Sequence, residues 1–359
     1  MFCFKAEKYS GECSLTDLYS LWSIEITGGE DERSNKIAVN LFYPSVLSVP
    51  LSFLLGLVFC MAPLSAGAYE ILLGTGEVGS FSHFSGRMLC RTINKEVSEL
   101  SCSVKAIDDE IDNLTNLQGG SLDLAIINSN VLDAAINKTG QFQFLDIDYK
   151  NLSIITPLYD KPIGIIVKSN SGISTLDDLK GKRLNGGAPG SIERRAMDLI
   201  MSAKGWSTED FARFEELPTS HGQGSMAFCQ GNVQALITVG VHPSRFTRRL
   251  LENCKGEVLN IDDPAIDKMV KSRAPCWKTE IKVSSDALPA KSFGTRGMLV
   301  ASSAIDKETG YAITQALYKH QLRLQKSHPA LSLYPLEDAQ KGIAGMSLQQ
   351  GAEQFFSEK

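Results

Sequence analysis

The sequence predicts an α/β fold, and two observations carry that expectation. After residue 68, short apolar segments alternate with amphipathic ones almost to the end of the chain, as in a sheet with helices packed on it. Several apolar segments also run into loops of glycine and small polar residues, where open α/β sheets bind ligands. The 359 residues carry 36 basic and 41 acidic side chains without a basic run, a balance that offers nothing to a nucleic-acid backbone.

Upstream of that alternation the chain reads differently. An apolar run from about Val46 to Ala62, interrupted by Ser48, Pro50 and Ser52, follows Lys36 and leads to Ala66 and Ala68, small residues at signal-peptidase spacing. Residues 39–68 are therefore read as a signal peptide cleaved after Ala68, which implies a periplasmic protein. A membrane anchor is the competing reading; the run is short and broken by Pro50. Lipidation at Cys60 is disfavoured by the bulky Phe59 beside it. Residues 1–38 are polar, acidic at Glu30, Asp31 and Glu32, and fit no export signal, so they read as an extension from a start codon assigned too early.

The elements follow in order. Ile71–Leu73 is an apolar strand that enters a loop with Gly74, Gly76 and Gly79, and a helical pattern runs from about Phe84 to Lys95. Cys102–Ile107 reads as a strand, Ile111–Gln118 as a helix stopped by Gly119 and Gly120, Leu122–Ile127 as a strand and Val131–Ile136 as a helix. Leu152–Leu158 and Ile163–Lys168 are two further strands. A short helix at Leu176, a strand at Arg183–Gly186 and a helix at Ser191–Lys204, stopped by Gly205, come next. Strands at Phe214–Leu217, Ala235–Val239 and Gly297–Ser302 alternate with helices at Ser225–Cys229 and Arg245–Asn253, and a long helix covers Lys307–Gln325. The roughly 290 residues after Ala68 suffice for two domains of ordinary size.

Cysteine usage fits an oxidising compartment. The spacings point to pairs Cys90–Cys102 and Cys229–Cys254, each loop constraining the unfolded chain by roughly 3 kcal/mol on a chain-entropy view. Cys276 belongs to neither pair. With no Cys-x-x-Cys and the histidines scattered, neither a metal site nor a cofactor is expected.

Several segments, in shared order, resemble the TAXI family of TRAP-transporter solute receptors. They are the glycine loop Gly74–Gly79 with Gly86, the cysteine segments Cys90–Lys95 and Cys102–Val104, the stretch Asn116–Asn130, and the block Leu176–Arg183 followed by Gly187–Ser191. Phe228–Ala235, Val239–Pro243, His328–Leu331 and Gly351–Phe356 complete the likeness, which spans Tyr69 to Phe356. The resemblance implies a fold like type II periplasmic binding proteins, with two lobes flanking a cleft and two crossover segments, near Lys161–Lys168 and Lys282–Gly297. Lobe I would be residues 69–164 with 290–359, and lobe II residues 165–289. It also implies capture of a small organic acid or amino acid, dicarboxylate or glutamate-like, and delivery to TRAP membrane permease subunits; a monomer is the default for a cleft that must open and close. The alternatives are a secreted sensor on the same fold or, with less support, an enzyme; no catalytic constellation stands out.

The expected ligand contacts come from four loops. Ser191, beginning a helix after Ala188, Pro189 and Gly190, can grip a carboxylate at a positive helix end, or serve as a plain cap. Ser129 and Asn130 offer neutral hydrogen bonds, and Thr75 with the amides of Gly76 and Gly79 forms a third wall. His242 and Tyr159 are candidate cleft residues, each with a structural reading beside the functional one. The chain departs from the family in charge: Glu77 and Glu193 replace small neutral residues, Asp108, Asp109 and Glu110 replace a glycine-serine stretch, and Ser80, Ser82 and His83 also differ. Glu77 and Glu193 are thus specificity candidates for a ligand with an amine or a bound cation, whereas Asp108–Glu110 also read as a solvated helix start.

Overall fold

A computed structural model describes residues 68–219, 222–272, 275–284, 286–339 and 346–359. The proposed leader, residues 39–68, lies outside the described residues except for Ala68, as does all of the extension before it. The elements below belong to one unit of the chain, Ser65–Lys359.

Three strand–helix units open the fold: β1 (Tyr69–Thr75) with α1 (Phe81–Glu96), β2 (Leu100–Ala106) with α2 (Glu110–Gln118), and β3 (Leu124–Asn128) with α3 (Ser129–Ile136). The long strand β4 (Ser153–Lys168) follows. A second group comprises β5 (Arg183–Asn185), α4 (Ile192–Lys204), β6 (Arg213–Glu215), α5 (Gln223–Cys229), β7 (Ala235–Val239), α6 (Arg245–Cys254), β8 (Gly256–Val258) and α7 (Pro264–Ser272). The chain returns through β9 (Trp277–Ile281) and β10 (Ala290–Ala301), then ends with α8 (Lys307–Lys319), α9 (Gln321–Ser327), α10 (Leu336–Ala339) and α11 (Gln350–Ser357).

The strand order is β2-β1-β3-β10-β4-β7-β5-β6, with β8 on β4 and β9 on β10. β1 runs parallel to β2 and β3, and β5 parallel to β6 and β7, while β4 and β10 are antiparallel to each other and to their neighbours. β4 pairs with β10 as far as Pro162 opposite Gly294, then with β7 from Ile163 opposite Val239. One sheet thus gives way to another in the middle of a single strand. β10 makes the return crossing: Phe293 packs in the apolar cluster of Leu184, Met197, Ile200 and Ile237, whereas Leu299 packs with Leu73, Leu89 and Ile313. Successive side chains point to opposite faces, so Met298 joins a separate cluster with Leu117, Ile127 and Leu132. The two-lobed α/β architecture matches the expected fold class.

The boundaries differ from expectation where local signals mislead. Leu152–Leu158 and Ile163–Lys168 are one strand, although Pro157 and Pro162 would ordinarily end it. Pro157 sits where the register with β10 shifts, from Tyr159 opposite Gly297 to Pro157 opposite Met298, so its missing N–H falls at an irregularity. Pro162 sits at the change of sheets and still accepts the Gly240 amide at 3.2 Å. β10 begins seven residues before the expected Gly297, at Ala290, and the long C-terminal helix is broken at His320. β8, α7, β9, α10 and α11 were not foreseen. Cys90–Cys102 and Cys229–Cys254 are disulfide-bonded as the spacing indicated. Among the described residues no helix is long and apolar enough to cross a membrane.

Gly294 sets how closely the crossing strands approach. A Cβ there would lie 2.4 Å from the Lys161 carbonyl oxygen and 2.7 Å from Pro162 Cα, both backbone atoms with little freedom to yield. Gly294→Ala should therefore lower stability by about 2 kcal/mol, read as an earlier urea midpoint with an unchanged slope. An unaltered midpoint would mean the strands separate there at no cost.

Candidate functional site

Four strand-to-helix loops carry the residues singled out from the sequence. In the first, Thr75 is fully buried, its hydroxyl 3.1 Å from His83 Nδ1 and its carbonyl accepting from Asn113 Nδ2 at 3.1 Å. The Gly76 amide donates to Ser82 Oγ at 2.9 Å, and Ser80 caps α1 by accepting the His83 amide at 3.1 Å. Glu77 and Gly79 are exposed. The wall expected from Thr75 and Gly76 is therefore already hydrogen-bonded within its own lobe.

In the second loop, Ser129 is buried; its hydroxyl donates to the Pro275 carbonyl at 3.2 Å and accepts the Arg296 amide at 3.1 Å. Asn130 is half-buried, with an enclosed Oδ1 that has no hydrogen-bond partner. Asn128 donates through Nδ2 to Glu110 at 2.6 Å, and Asp109 caps α2 by accepting the Ile111 amide at 2.8 Å. Two of the three acidic departures at residues 108–110 thus serve local hydrogen bonding.

The third loop approaches α4 closely. Gly187 has φ +88°, and a Cβ there would lie 2.8 Å from the Arg194 nitrogen, so only glycine fits. Ala188 is half-buried, while Pro189 and Gly190 are exposed. Ser191 accepts the Arg194 amide at 3.0 Å, the geometry of a helix cap. Arg195 donates to the Gly190 carbonyl at 2.6 Å, and Arg194 is engaged by Asp198 and Glu216. Glu193 is 9% exposed and, among the described residues, has no hydrogen-bond or ion-pair partner. Both adjacent arginines make their hydrogen bonds elsewhere.

The fourth loop holds a cis His242–Pro243 bond. The Nδ1 of His242 is enclosed without a partner, and burial pulls the imidazole down to about 4. His328 Nδ1 accepts the Ala330 amide at 3.2 Å, so its Nε2 donates to the Pro243 carbonyl, also at 3.2 Å. Phe81 at the start of α1 lies 4.8 Å from the His328 ring and 4.8 Å, edge-on, from Tyr159. Burial raises the Tyr159 hydroxyl pKa, with Glu110 adding to the effect. Tyr159 and the His242 loop therefore meet the first helix at the crossing. No hydrogen bond, ion pair or ring contact among the described residues links Ser191 to Ser129 or to the first loop.

A cluster at the crossing was not foreseen. Asp160 of β4 lies opposite Arg296 of β10 in register. Arg296 Nε donates to Asp160 at 3.2 Å, Thr279 Oγ1 donates to the same carboxylate at 2.6 Å, and so does the Tyr334 hydroxyl. Burial raises the Tyr334 hydroxyl pKa, reinforced by Asp160. A cavity of about 370 Å³ opens beside this group, lined by Asp160, His242, Thr279, Lys282 and Tyr334 among others. The signal for it was an arginine amid glycines and apolar residues in a strand, where a charge needs a partner. Among the described residues, no group of three or more His, Cys, Asp or Glu side chains could hold a metal ion.

The NMT1-like family matches residues 73–359. The chain belongs to that family. This placement is broader than the TAXI resemblance. Among solved structures, the TctC solute-binding protein from Polaromonas is 13% identical, with a TM-score of 0.52 over 82% of this chain and 94% of that one, a likeness of fold. The aliphatic sulphonate-binding protein SsuA from Escherichia coli is 17% identical at a TM-score of 0.46, over 81% and 84% of the two chains. A nutrient-binding protein from Burkholderia cenocepacia bound to methionine is 13% identical at 0.43, over 73% and 98%.

His242 gives the site a pH signature. The unfolded chain protonates this histidine near 6.5 and the folded one only near 4, so the neutral ring's contribution is complete above pH 6.5 and is lost as pH falls toward 4. His242→Gln should remove up to about 3 kcal/mol of that acid destabilisation, measured by urea unfolding at pH 7 and pH 4. An equal loss in both proteins would contradict it.

Proposed function

We propose that this protein is an extracytoplasmic, periplasmic solute receptor. It captures a small organic acid or amino acid, dicarboxylate or glutamate-like, between two lobes and delivers it to a TRAP-type secondary transporter of the TAXI kind. It works as a monomer and without catalysis. The lobes are residues 69–164 with 290–359, and residues 165–289.

One observation carries this reading: two antiparallel strands, β4 and β10, carry the chain from one sheet to the other at Pro162 and Gly294. Such a pair of crossings lets two rigid bodies close on a ligand by small backbone rotations. The helix-leading loops after β1, β3, β5 and β7 then line the cleft between them. The TctC protein of Polaromonas, similar in fold, is a solute-binding protein, and the same role is assigned to this chain here.

The two acidic specificity candidates part company. Glu77 stands in water on an open loop, where its charge is screened. Glu193 is 9% exposed and has no protein partner among the described residues, so its carboxylate is free to meet a ligand ammonium. The solute is therefore read as bearing an amine as well as an acid, with ligand contacts at the exposed ends of the Gly76–Gly79 and Ala188–Ser191 loops, at Asn130 and at His242.

A thermal-shift screen of the protein against succinate, L-glutamate and putrescine tests the reading. A ligand at 100 times its Kd should add roughly 2.7 kcal/mol of stability, with L-glutamate favoured over succinate. Glu193→Gln should narrow that preference and Glu77→Gln leave it intact. No stabilisation by any acid or amino acid would overturn the receptor reading; a preference indifferent to Glu193 would overturn the amine.

A further inference from the structure

α1 carries its basic side chains in one row. His83, Arg87, Arg91 and Lys95 recur every fourth residue, so they form one slanted ridge, about 6 Å from each to the next and roughly 18 Å from end to end. No basic run marks them in the sequence, because three residues separate each from its neighbour. The two arginines and the lysine are exposed, and among the described residues none makes a side-chain hydrogen bond or an ion pair. Glu96, the acidic side chain of this helix, is engaged by Arg323 and His320 instead.

The ridge is one wall of a trough. A cavity of about 780 Å³ runs along it, with all four residues in its lining beside the Cys90–Cys102 pair and Val104 of β2. Spread over roughly 18 Å, that volume has a section of about 40 Å². An extended chain fills about 50 Å², whereas a helix about 10 Å across needs about 80 Å². The trough is thus sized for an extended chain. Alternate side chains of such a chain stand about 6.6 Å apart on one face, close to the spacing of the cations. β2 is the outer strand of its sheet, yet Asn94 already occupies the middle of its free edge. The Asn94 side chain donates to the Cys102 carbonyl at 2.9 Å and accepts the Cys102 amide at 2.6 Å. Main-chain pairing is blocked there, which leaves charge to hold an occupant. No Phe, Tyr or Trp lines the trough, so it offers nucleic-acid bases no stacking surface, and a flat bilayer would meet only its rim.

We propose that the trough between α1 and β2 is a docking groove for an extended acidic polypeptide segment, with acidic residues at alternate positions facing Arg87, Arg91 and Lys95. Each contact is an exposed ion pair and weak by itself; three in register make a contact that forms and releases readily. None of the three cations belongs to the candidate loops, so the use of the groove does not depend on which solute is bound.

Fluorescence anisotropy of two dye-labelled octapeptides with the full-length protein tests the groove. One peptide alternates glutamate with threonine; the other holds the same residues as a glutamate block followed by a threonine block. At low salt the alternating peptide should bind about tenfold more tightly than its isomer, and its binding should be lost at about 1 M salt. The triple variant Arg87→Gln, Arg91→Gln, Lys95→Gln should lose about tenfold in affinity for it, whereas Arg87→Lys with Arg91→Lys should retain most of the binding. Removing as much charge from the exposed face of α6, with Arg245→Gln, Arg248→Gln and Arg249→Gln, should leave that affinity unchanged. Equal losses in the two triple variants would mean that net charge alone attracts the peptide, and would overturn the groove. Equal affinity for the two peptides would overturn it as well. So would failure to bind either peptide; co-sedimentation with phosphatidylglycerol vesicles, lost in the α1 variant, would then assign the row to a membrane surface.

Discussion

The antiparallel contact between β4 and β10 is the constraint on which the rest depends. Gly294 lets the two backbones touch, and the Asp160–Arg296 pair fixes their register from within. A slip of one residue would turn Arg296 to the opposite face and leave a charge among apolar side chains. Burying an ion pair is costly in itself; here the extra hydrogen bonds from Thr279 and Tyr334 offset the desolvation of the carboxylate. What the pair contributes is a single alignment of the two sheets rather than bulk stability.

Stability of the ordinary kind lies in the lobes. Each sheet is covered on both faces, giving four apolar clusters, and Tyr334 and Trp277 tie the crossing to two of them. The disulfides follow the same division. Cys90–Cys102 ties α1 to β2, and Cys229–Cys254 ties the ends of α5 and α6. Both stiffen a lobe, and neither spans the crossing. Two sheets joined by two strands suit the closure around a solute proposed above.

Much of this was legible in the sequence. The bounds of β7 were read to the residue, because a short, largely apolar and β-branched run between a polar segment and a glycine has little else to be. β4 was read as two strands because proline rules describe isolated sheets, and only tertiary context shows that Pro157 falls at a bulge and Pro162 at a change of sheet. β9 alternates half-buried and exposed residues before ending on the buried Ile281, too short and too charged to declare itself. The candidate loops were found as loops, yet the roles of their side chains were not readable. Whether Ser191 caps a helix or grips a ligand is written identically in sequence. Arg296 was passed over for a related reason: its partners Asp160, Trp277 and Tyr334 lie between 19 and 136 positions away, and only folding brings them together.

Closure about β4 and β10 is tested most directly by small-angle X-ray scattering of the protein, free and saturated with the acid that binds it. A receptor that closes on its solute should show a smaller radius of gyration when loaded and recover the larger one when the solute is dialysed away. Superimposable scattering curves from the free and loaded protein, with binding established in the same samples, would contradict a hinge at the crossing strands.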